Sequence, residues 1–276
     1  MDQSEILVIE LEPAHYKIDL WNAVQNLPKH NVKVIFTQSR NWAPDGGHRY
    51  SLFPASAFQS TVLNGKGLFG VFHSVRKTLG ALFCQKVDAV YVCGYSFLST
   101  ALLLVAAIAL RKPTFLFVDE FNTDLPSGSF KRTKYLVREA LRKFCFRYCR
   151  AILVCGDRGR ESAILAGCDH EKIVNFPYVV DVKRIESDNP ASIPEDCTTD
   201  LESDCTVIFF SGRMIERKGL GNLLVAMSKI GTEQRWVLWV EGDGPLFSHF
   251  RSVSDELGIA DKVRFLGFCQ YDLHSW

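Results

Sequence analysis

The sequence predicts an α/β protein of two Rossmann-like units, the second of them incomplete. Three observations predict it. Short apolar runs rich in Val, Ile and Phe alternate with helical patterns along the chain, the signature of βα units around a parallel sheet. From Glu186 to Asp204 the alternation stops: seven acidic residues, no basic one, and Pro190 and Pro194 give a stretch without hydrophobic period. It then restarts and runs to the end of the 276 residues. We therefore divide the chain into a first domain at 1–182, an acidic linker at 183–206 and a partial second domain at 207–276.

Taken in order, the strands of the first domain are ILVIEL (6–11), VKVIFT (32–37), AVYVC (89–93), TFLFV (114–118) and AILVC (151–155), with KIVNFP (172–177) closing it. Helical patterns occupy 15–27, 68–86, 96–111, 131–149 and about 158–167. Residues 38–66 lack clear periodicity and read as a loop with one or two short strands. After the linker come strand VIFFSG (207–212), helix 219–230, strand WVLWVEG (236–242), helix 245–257, strand VRFLGF (263–268) and a helix start at Tyr271. Three strands are part of a doubly wound sheet, whose usual complement is about five or six.

Composition narrows the function classes. With 47% hydrophobic and 23% charged residues the chain is an ordinary globular protein, not a disordered, collagenous or coiled-coil one. The net charge of +1 conceals an asymmetry: residues 1–182 carry 22 Lys/Arg against 16 Asp/Glu, and 183–276 carry 10 against 15. A basic first half suits an anionic partner. Nine cysteines are scattered without a C-x-x-C pair, which argues against a zinc site and for thiols in a reducing cytoplasm; Cys84, Cys93 and Cys155, inside apolar runs, read as buried. The first residues, MDQSEILVIELEP, lack the basic region and cleavage site of a signal peptide. The longest apolar run, residues 97–110, would span roughly 21 Å as a helix, short of a hydrocarbon core of about 30 Å.

The most informative stretch is SGRMIERKGLGNLLVAMSKI, 211–230. Gly212 ends a strand, Arg213 and Lys218 flank a turn, and Gly219 opens an amphipathic helix. Two cations beside a helix N-terminus favour an anion, because unpaired N–H groups and the helix dipole add to the fixed charge. A diphosphate is the natural ligand; the alternative is a turn with solvated cations. Residues 239–268, WVEGDGPLFSHFRSVSDELGIADKVRFLGF, repeat the strand–turn–helix–strand logic, with Gly242, Gly244, Gly267 and Phe268 at the turns.

Together G-R-x-x-x-x-K-G and E-G-D-G-P followed by E-L-G-I-A-D-K-V-R-F-L-G-F resemble the donor-binding half of family 4 glycosyltransferases of the two-domain GT-B fold. AILVCGDRGRESAILAGCDHEKIVNFPYVVD, 151–181, is similar to the end of that family's acceptor domain. The resemblance implies a retaining, nucleotide-sugar-dependent transferase that needs no cofactor and no bound metal. Its donor is a nucleotide-diphosphate sugar on the C-terminal domain, and its acceptor a glycan or lipid-linked glycan in the cleft, usually in cell-surface polysaccharide synthesis. By motif match Arg213 and Lys218 hold the donor diphosphate, the charge-stabilising task a metal fills elsewhere. Three departures stand out. No glycine-rich turn follows the first strand (ELEPAHYKID, 10–19). Where the family often has a His after the fourth strand, FVDEFNTD offers Asp119 and Glu120. These carboxylates can orient sugar hydroxyls or accept the acceptor's proton, or simply cap the turn. The family's E-x7-E pair falls beyond residue 276, so we read the chain as C-terminally truncated.

A second constellation is KRTKYLVREALRKFCFRYCR, 131–150, with eight Lys/Arg and one acidic residue. Val137, Leu141, Phe144 and Tyr148 form an apolar stripe for packing on the sheet, and Lys131, Lys134, Arg138 and Arg142 a basic row beside it. Such a helix can grip an anionic membrane surface or the phosphate of a lipid-linked acceptor, placing the protein in the cytoplasm and peripherally on the membrane's inner face. It can also be a solvated helix. Nucleic acid is not expected, because the aromatic residues lie on the packing stripe. His15, with Tyr16 and Lys17, follows the first strand at the edge where α/β sheets collect ligands, and is a candidate for acceptor or phosphate.

Two other readings differ in class. A non-catalytic remnant or acceptor-binding protein would follow from the early chain end. A nicotinamide-dependent enzyme is disfavoured because no G-x-G-x-x-G follows a predicted strand.

Overall fold

The computed structural model describes residues 3–37, 56–63, 67–84, 86–122, 129–183, 195–202, 204–230 and 234–268. They form two compact units, divided between Val180 and Asp181.

In the first unit, strands β1 (Ser4–Glu10), β2 (His30–Phe36), β3 (Gln59–Val62), β4 (Ala89–Cys93), β5 (Thr114–Phe117), β6 (Ala151–Val154) and β7 (Ile173–Asn175) make one sheet in the order β3-β2-β1-β4-β5-β6-β7. All its ladders are parallel. Helices α1 (His15–Gln25), α2 (Gly67–Cys84), α3 (Leu98–Ala109), α4 (Ser129–Tyr148) and α5 (Gly156–Leu165) supply the connections. Successive strand residues point to opposite faces, and the cores follow that alternation. Leu7 and Ile9 of β1 join Leu82, Leu103, Leu104, Phe146 and Ala163 of α2–α5 on one face. Val8 joins Ile18 and Trp21 of α1 on the other.

In the second unit, β8 (Thr206–Ser211), β9 (Trp236–Glu241) and β10 (Val263–Gly267) form a parallel sheet in the order β10-β9-β8. β9 is buried along its whole length. Helices α7 (Leu220–Ser228) and α8 (Phe247–Glu256) cover one face through Leu220, Leu224 and Phe250.

Several sequence expectations need correction. Inside the stretch read as linker, residues Glu195–Glu202 form a helix, α6. Its Cys197 packs on Val237 and Trp239, covering the second sheet's other face. Asp200 shows why an acidic segment can do this: its Oδ2 accepts the Trp239 indole N–H at 2.9 Å and its Oδ1 accepts Arg264 Nη2 at 3.4 Å. The expected helix at Tyr271 lies outside the described residues. Cys93 and Cys155 are half-buried, since both stand at strand ends, the Cys84 side chain lies outside those described, and among the described residues the buried cysteines are Cys145, Cys149, Cys168 and Cys197.

The packing stripe expected on α4 is also displaced. Of its four residues Leu141 does pack against the core, but Val137 and Tyr148 are 67% and 54% exposed, while Arg142, Cys145, Phe146 and Cys149 face the core. Arg142 can turn inward because the Glu139 carboxylate pairs with it.

Finally, a G-x-G-x-x-G does follow a strand: Gly65-Lys66-Gly67-Leu68-Phe69-Gly70 leads from β3 into α2. It does not carry the dinucleotide fingerprint's context. β3 is an exposed edge strand, and Asp88, the acidic residue next in sequence, accepts the Glu5 N–H at 2.9 Å, just before β4 and near the amino end of β1. That is the wrong end of the sheet to meet a ribose.

Candidate functional site

The predicted glycines of the second unit converge at the carboxyl ends of its three strands. The Gly212 N–H donates to Glu241 O at 3.1 Å, and the Gly242 N–H to Gly267 O at 2.7 Å. Beyond them the Met214 N–H bonds Asp243 O at 2.9 Å and the Leu246 N–H bonds Met214 O at 3.1 Å, so the two loops zip together. Side chains have no room there. A Cβ on Gly242 (φ 127°) would fall on the Gly212 carbonyl oxygen, and one on Gly244 (φ 155°) would lie 2.7 Å from Met214 O. Phe268, half-buried, follows Gly267.

This zipped platform fixes the turn carrying the two cations. Met214 is fully buried between Arg213 and the rest of the turn. A 3-10 turn, Glu216–Lys218, ends at Gly219 in the left-handed conformation (φ 77°), whose carbonyl accepts the first N–H bond of α7 from Leu223. Lys218 is exposed, yet its chain folds back: its Cδ lies 3.8 Å from where a Cβ on Gly212 would be. Arg213 is half-buried. Positive charge, the opening turn of a helix and closely approachable backbone thus share one strand edge, an arrangement whose charge and N–H groups favour an anion.

The first unit gathers polar and aromatic residues at the carboxyl edge of its own sheet. At the end of β1 the carboxylate of Glu10, 1% exposed, accepts Lys17 Nζ at 2.6 Å and the Trp21 indole N–H at 3.4 Å. Lys17 also donates to Cys93 Sγ at 3.8 Å. Burial alone would lower the Lys17 pKa, but the adjacent Glu10 carboxylate overrides it and holds the ammonium above its usual range. Above this pair, Tyr16, Lys17, Tyr91, Phe117, Phe176 and Tyr178 line a small depression. Tyr16 and Tyr178 meet edge to face at 4.8 Å, and the Tyr178 hydroxyl donates to Asp119 Oδ1. Burial and that hydrogen bond push the Tyr178 phenol above its ordinary range.

Asp119 and Glu120 are both exposed just after β5. Their loop is held by α5: the Phe121 N–H donates to Ser162 Oγ at 3.0 Å, and Gly159 lets the helix approach Asp119 O to where a Cβ would stand at 2.6 Å. His15 begins α1, and its side chain lies outside those described, as do those of Lys131 and Lys134 on α4. Arg138 donates to Asn122 O at 3.0 Å and stacks on Tyr135. With Arg142 ion-paired inside, the expected basic row is not continuous. Among the described residues no three His, Cys, Asp or Glu are grouped to hold a metal ion, and no helix is long and apolar enough to cross a membrane.

Sequence reasoning missed Glu10 and Tyr178. A carboxylate closing the run ILVIE, with Lys17 seven residues on, was the available signal for the first. For Tyr178 nothing local distinguishes its aromatic ring from a packing residue.

The fold these units build is that of GT-B proteins. The chain is similar to Anabaena HepE solved with UDP, at TM-score 0.65 and 15% identity over 99% of this chain and 71% of that one. It is also similar to the lipopolysaccharide outer core galactosyltransferase WaaB, at 0.59 and 17% over 96% and 68%. A UDP-N-acetylglucosamine 2-epimerase gives 0.59 and 12% over 99% and 71%. A transferase and an epimerase share this architecture, so likeness at these identities shows the fold alone.

The second unit is more specific. Residues 198–275 match the family model of glycosyl transferases group 1. A 77-residue stretch is 35% identical to the lipopolysaccharide core biosynthesis glycosyltransferase LpsD of Rhizobium meliloti (strain 1021), and 90 residues are 31% identical to its LpsE. These stretches are 27% and 33% of this chain and span 22% of the length of either relative.

Proposed function

We propose that the chain is a retaining glycosyltransferase of family 4 type, moving a sugar from a nucleotide diphosphate to a glycan or lipid-linked acceptor in cell-surface polysaccharide assembly, on the cytoplasmic side. One observation carries the reading: the Arg213/Lys218 turn, seated on the Gly212–Gly242–Gly267 platform, lies within the residues that match the glycosyl transferase family model. The named functions of LpsD, LpsE and WaaB, and the UDP bound by HepE, support it.

In this reading the bond between the sugar's anomeric carbon and the diphosphate breaks, and the diphosphate leaves with the electron pair. Arg213 and Lys218 meet the growing negative charge, so no metal is required. The acceptor hydroxyl bonds to the anomeric carbon. Asp119 and Glu120 orient sugar hydroxyls or take the released proton, and the aromatic depression around Tyr16 and Tyr178 offers a sugar's apolar face a surface. Apart from the buried Arg142, the cations of α4 face a phosphate-bearing surface or acceptor.

Calorimetric titration with UDP, GDP and ADP, without and with divalent metal, tests the reading. Metal-independent binding of one diphosphate, weakened by Arg213→Ala, is expected. Absence of binding by the folded chain, or equal binding by the variant, contradicts it.

A further inference from the structure

The depression at the carboxyl edge of the first sheet is aromatic in its walls and acidic in its charge. Tyr16, Tyr91, Phe117, Phe176 and Tyr178 line it, and Tyr178 is 47% exposed. Tyr91, Phe117 and Phe176 belong to the core on the α1 side of the sheet. The charged side chains that act most strongly on the three phenols are Glu10, Asp119 and Lys17. The α4 arginines act instead on Tyr95, which belongs to the core of the opposite face.

Of these charges the one cation is already neutralised. Lys17 is 8% exposed, and Glu10 Oε2 accepts its Nζ at 2.6 Å. The two charges cancel, and neither is offered to a ligand. The Asp119 carboxylate is left over. It is exposed, its Oδ1 accepts the Tyr178 hydroxyl, and its Oδ2 has no partner among the described residues. Glu120, next along the chain, adds a second exposed carboxylate at the same strand end. Burial, aided by the carboxylates, holds the Tyr16 and Tyr178 phenols above their ordinary range, so both hydroxyls keep their protons at neutral pH.

That balance selects on charge. A pyranose without an acidic group can lay its C–H face on the rings, give its hydroxyl protons to the carboxylates and accept from the phenols. A uronic or ulosonic acid would bring a further carboxylate against Asp119 and Glu120, with no unpaired cation among the groups that act on the rings. Rejection by repulsion is an efficient source of specificity. We infer that the first unit takes, as the residue receiving the transferred sugar, a pyranose without an acidic group, and that Asp119 and Glu120 turn acidic sugars away. This inference rests on the glycosyltransferase reading and narrows its acceptor.

Matched glycosides provide the test: methyl glucoside against methyl glucuronide, and methyl galactoside against methyl galacturonide. Each pair differs only in a CH2OH or a carboxylate at C6. Saturation-transfer NMR of the full chain at neutral pH measures their binding, and the same sample is titrated with UDP, GDP and ADP. The neutral member of at least one pair should bind about fivefold or more tightly than its acidic partner. Asp119→Asn with Glu120→Gln should bring that ratio below about twofold, whereas Tyr178→Ala should weaken the neutral sugar itself. All three positions are exposed, so circular dichroism of the variants should match the parent. Equal binding of the acidic glycoside, an unchanged ratio in the double variant, or no saturation transfer to any glycoside while a nucleotide still binds would overturn the inference and leave the transferase reading standing. Failure of the folded chain to bind any of the three nucleotides would count against that reading itself.

Discussion

The backbone of Gly242 is seated directly on the carbonyl of Gly212, with the position of a Cβ taken by that oxygen and its carbonyl carbon only 2.9 Å away. Neither partner can retreat easily, because the Gly212 N–H is bonded to Glu241 and the Gly242 N–H to Gly267. Gly242→Ala should cost the second unit about 2–4 kcal/mol, adding a backbone clash to the strain of a positive φ. Gly219→Ala is the control: its φ is 77° but no atom stands within 4 Å of the new Cβ, so about 1 kcal/mol is expected. Urea unfolding of both variants measures the difference. Equal losses would show that the platform tolerates a methyl group and is not closely packed.

The same platform makes the charge of Arg213 count. A half-buried guanidinium on a fixed turn forms charge-assisted hydrogen bonds with little ordering cost, so Arg213→Ala should weaken nucleotide-diphosphate binding by about 1.5–3 kcal/mol. Lys218→Ala, which removes a more exposed cation, should cost less, about 0.5–1.5 kcal/mol, and its effect should fade first as salt is raised. Titration calorimetry at two ionic strengths separates them. A larger loss at Lys218 than at Arg213 would reverse the assigned roles.

Asp119 offers a spectroscopic prediction. The Tyr178 phenol is held above its ordinary range of about 10, first by burial and then by its hydrogen bond to the Asp119 carboxylate. Asp119→Asn removes the carboxylate's charge, so Tyr178 should ionise at lower pH than in the parent while staying above an exposed tyrosine. Carbon NMR of labelled tyrosine, with the signal assigned by Tyr178→Phe, follows that titration. An unchanged midpoint would mean that the hydroxyl does not rest on Asp119. If the carboxylate also serves the acceptor, transfer falls in Asp119→Asn far more than in Tyr178→Phe.

What the sequence made legible follows from where its signals were local. Short apolar runs located nine of the ten strands among the described residues, because parallel strands buried on both faces leave continuous Val/Ile/Phe runs such as β6 and β9. β3 was expected only as an unplaced short strand within 38–66, because its four residues, Gln59–Val62, are all exposed and carry no such run. The Arg213/Lys218 turn was legible because strand end, cations, glycine and helix start are consecutive. The Glu10–Lys17–Cys93 group was not, since it unites three elements 83 residues apart at its extremes. On α4 the 3.6-residue period placed Leu141 correctly but missed the rest of the core-facing side, because a paired Arg142 and two cysteines occupy positions that apolar counting assigns elsewhere.

The buried pair at the end of β1 yields the last prediction. Lys17 and Glu10 are 8% and 1% exposed with their charged atoms 2.6 Å apart. Removing one partner strands the other charge in the core, so Lys17→Met should cost about 3–5 kcal/mol, whereas Glu10→Gln with Lys17→Met should recover much of that loss. The pH dependence has a definite sign. The folded-state pKa of Lys17 is raised above 10.5 because Glu10 outweighs the cost of burial. Folding therefore favours the protonated ammonium, and its contribution is fully present below the unfolded pKa and is lost as pH rises through the folded one. The stability gap between parent and double variant should be flat from neutral pH to about pH 10 and should shift against the parent only above that. Urea unfolding across this range measures it. A gap that changes near neutral pH would mean that the pair is not the closed, fully charged contact that shapes the floor of the Tyr16–Tyr178 depression.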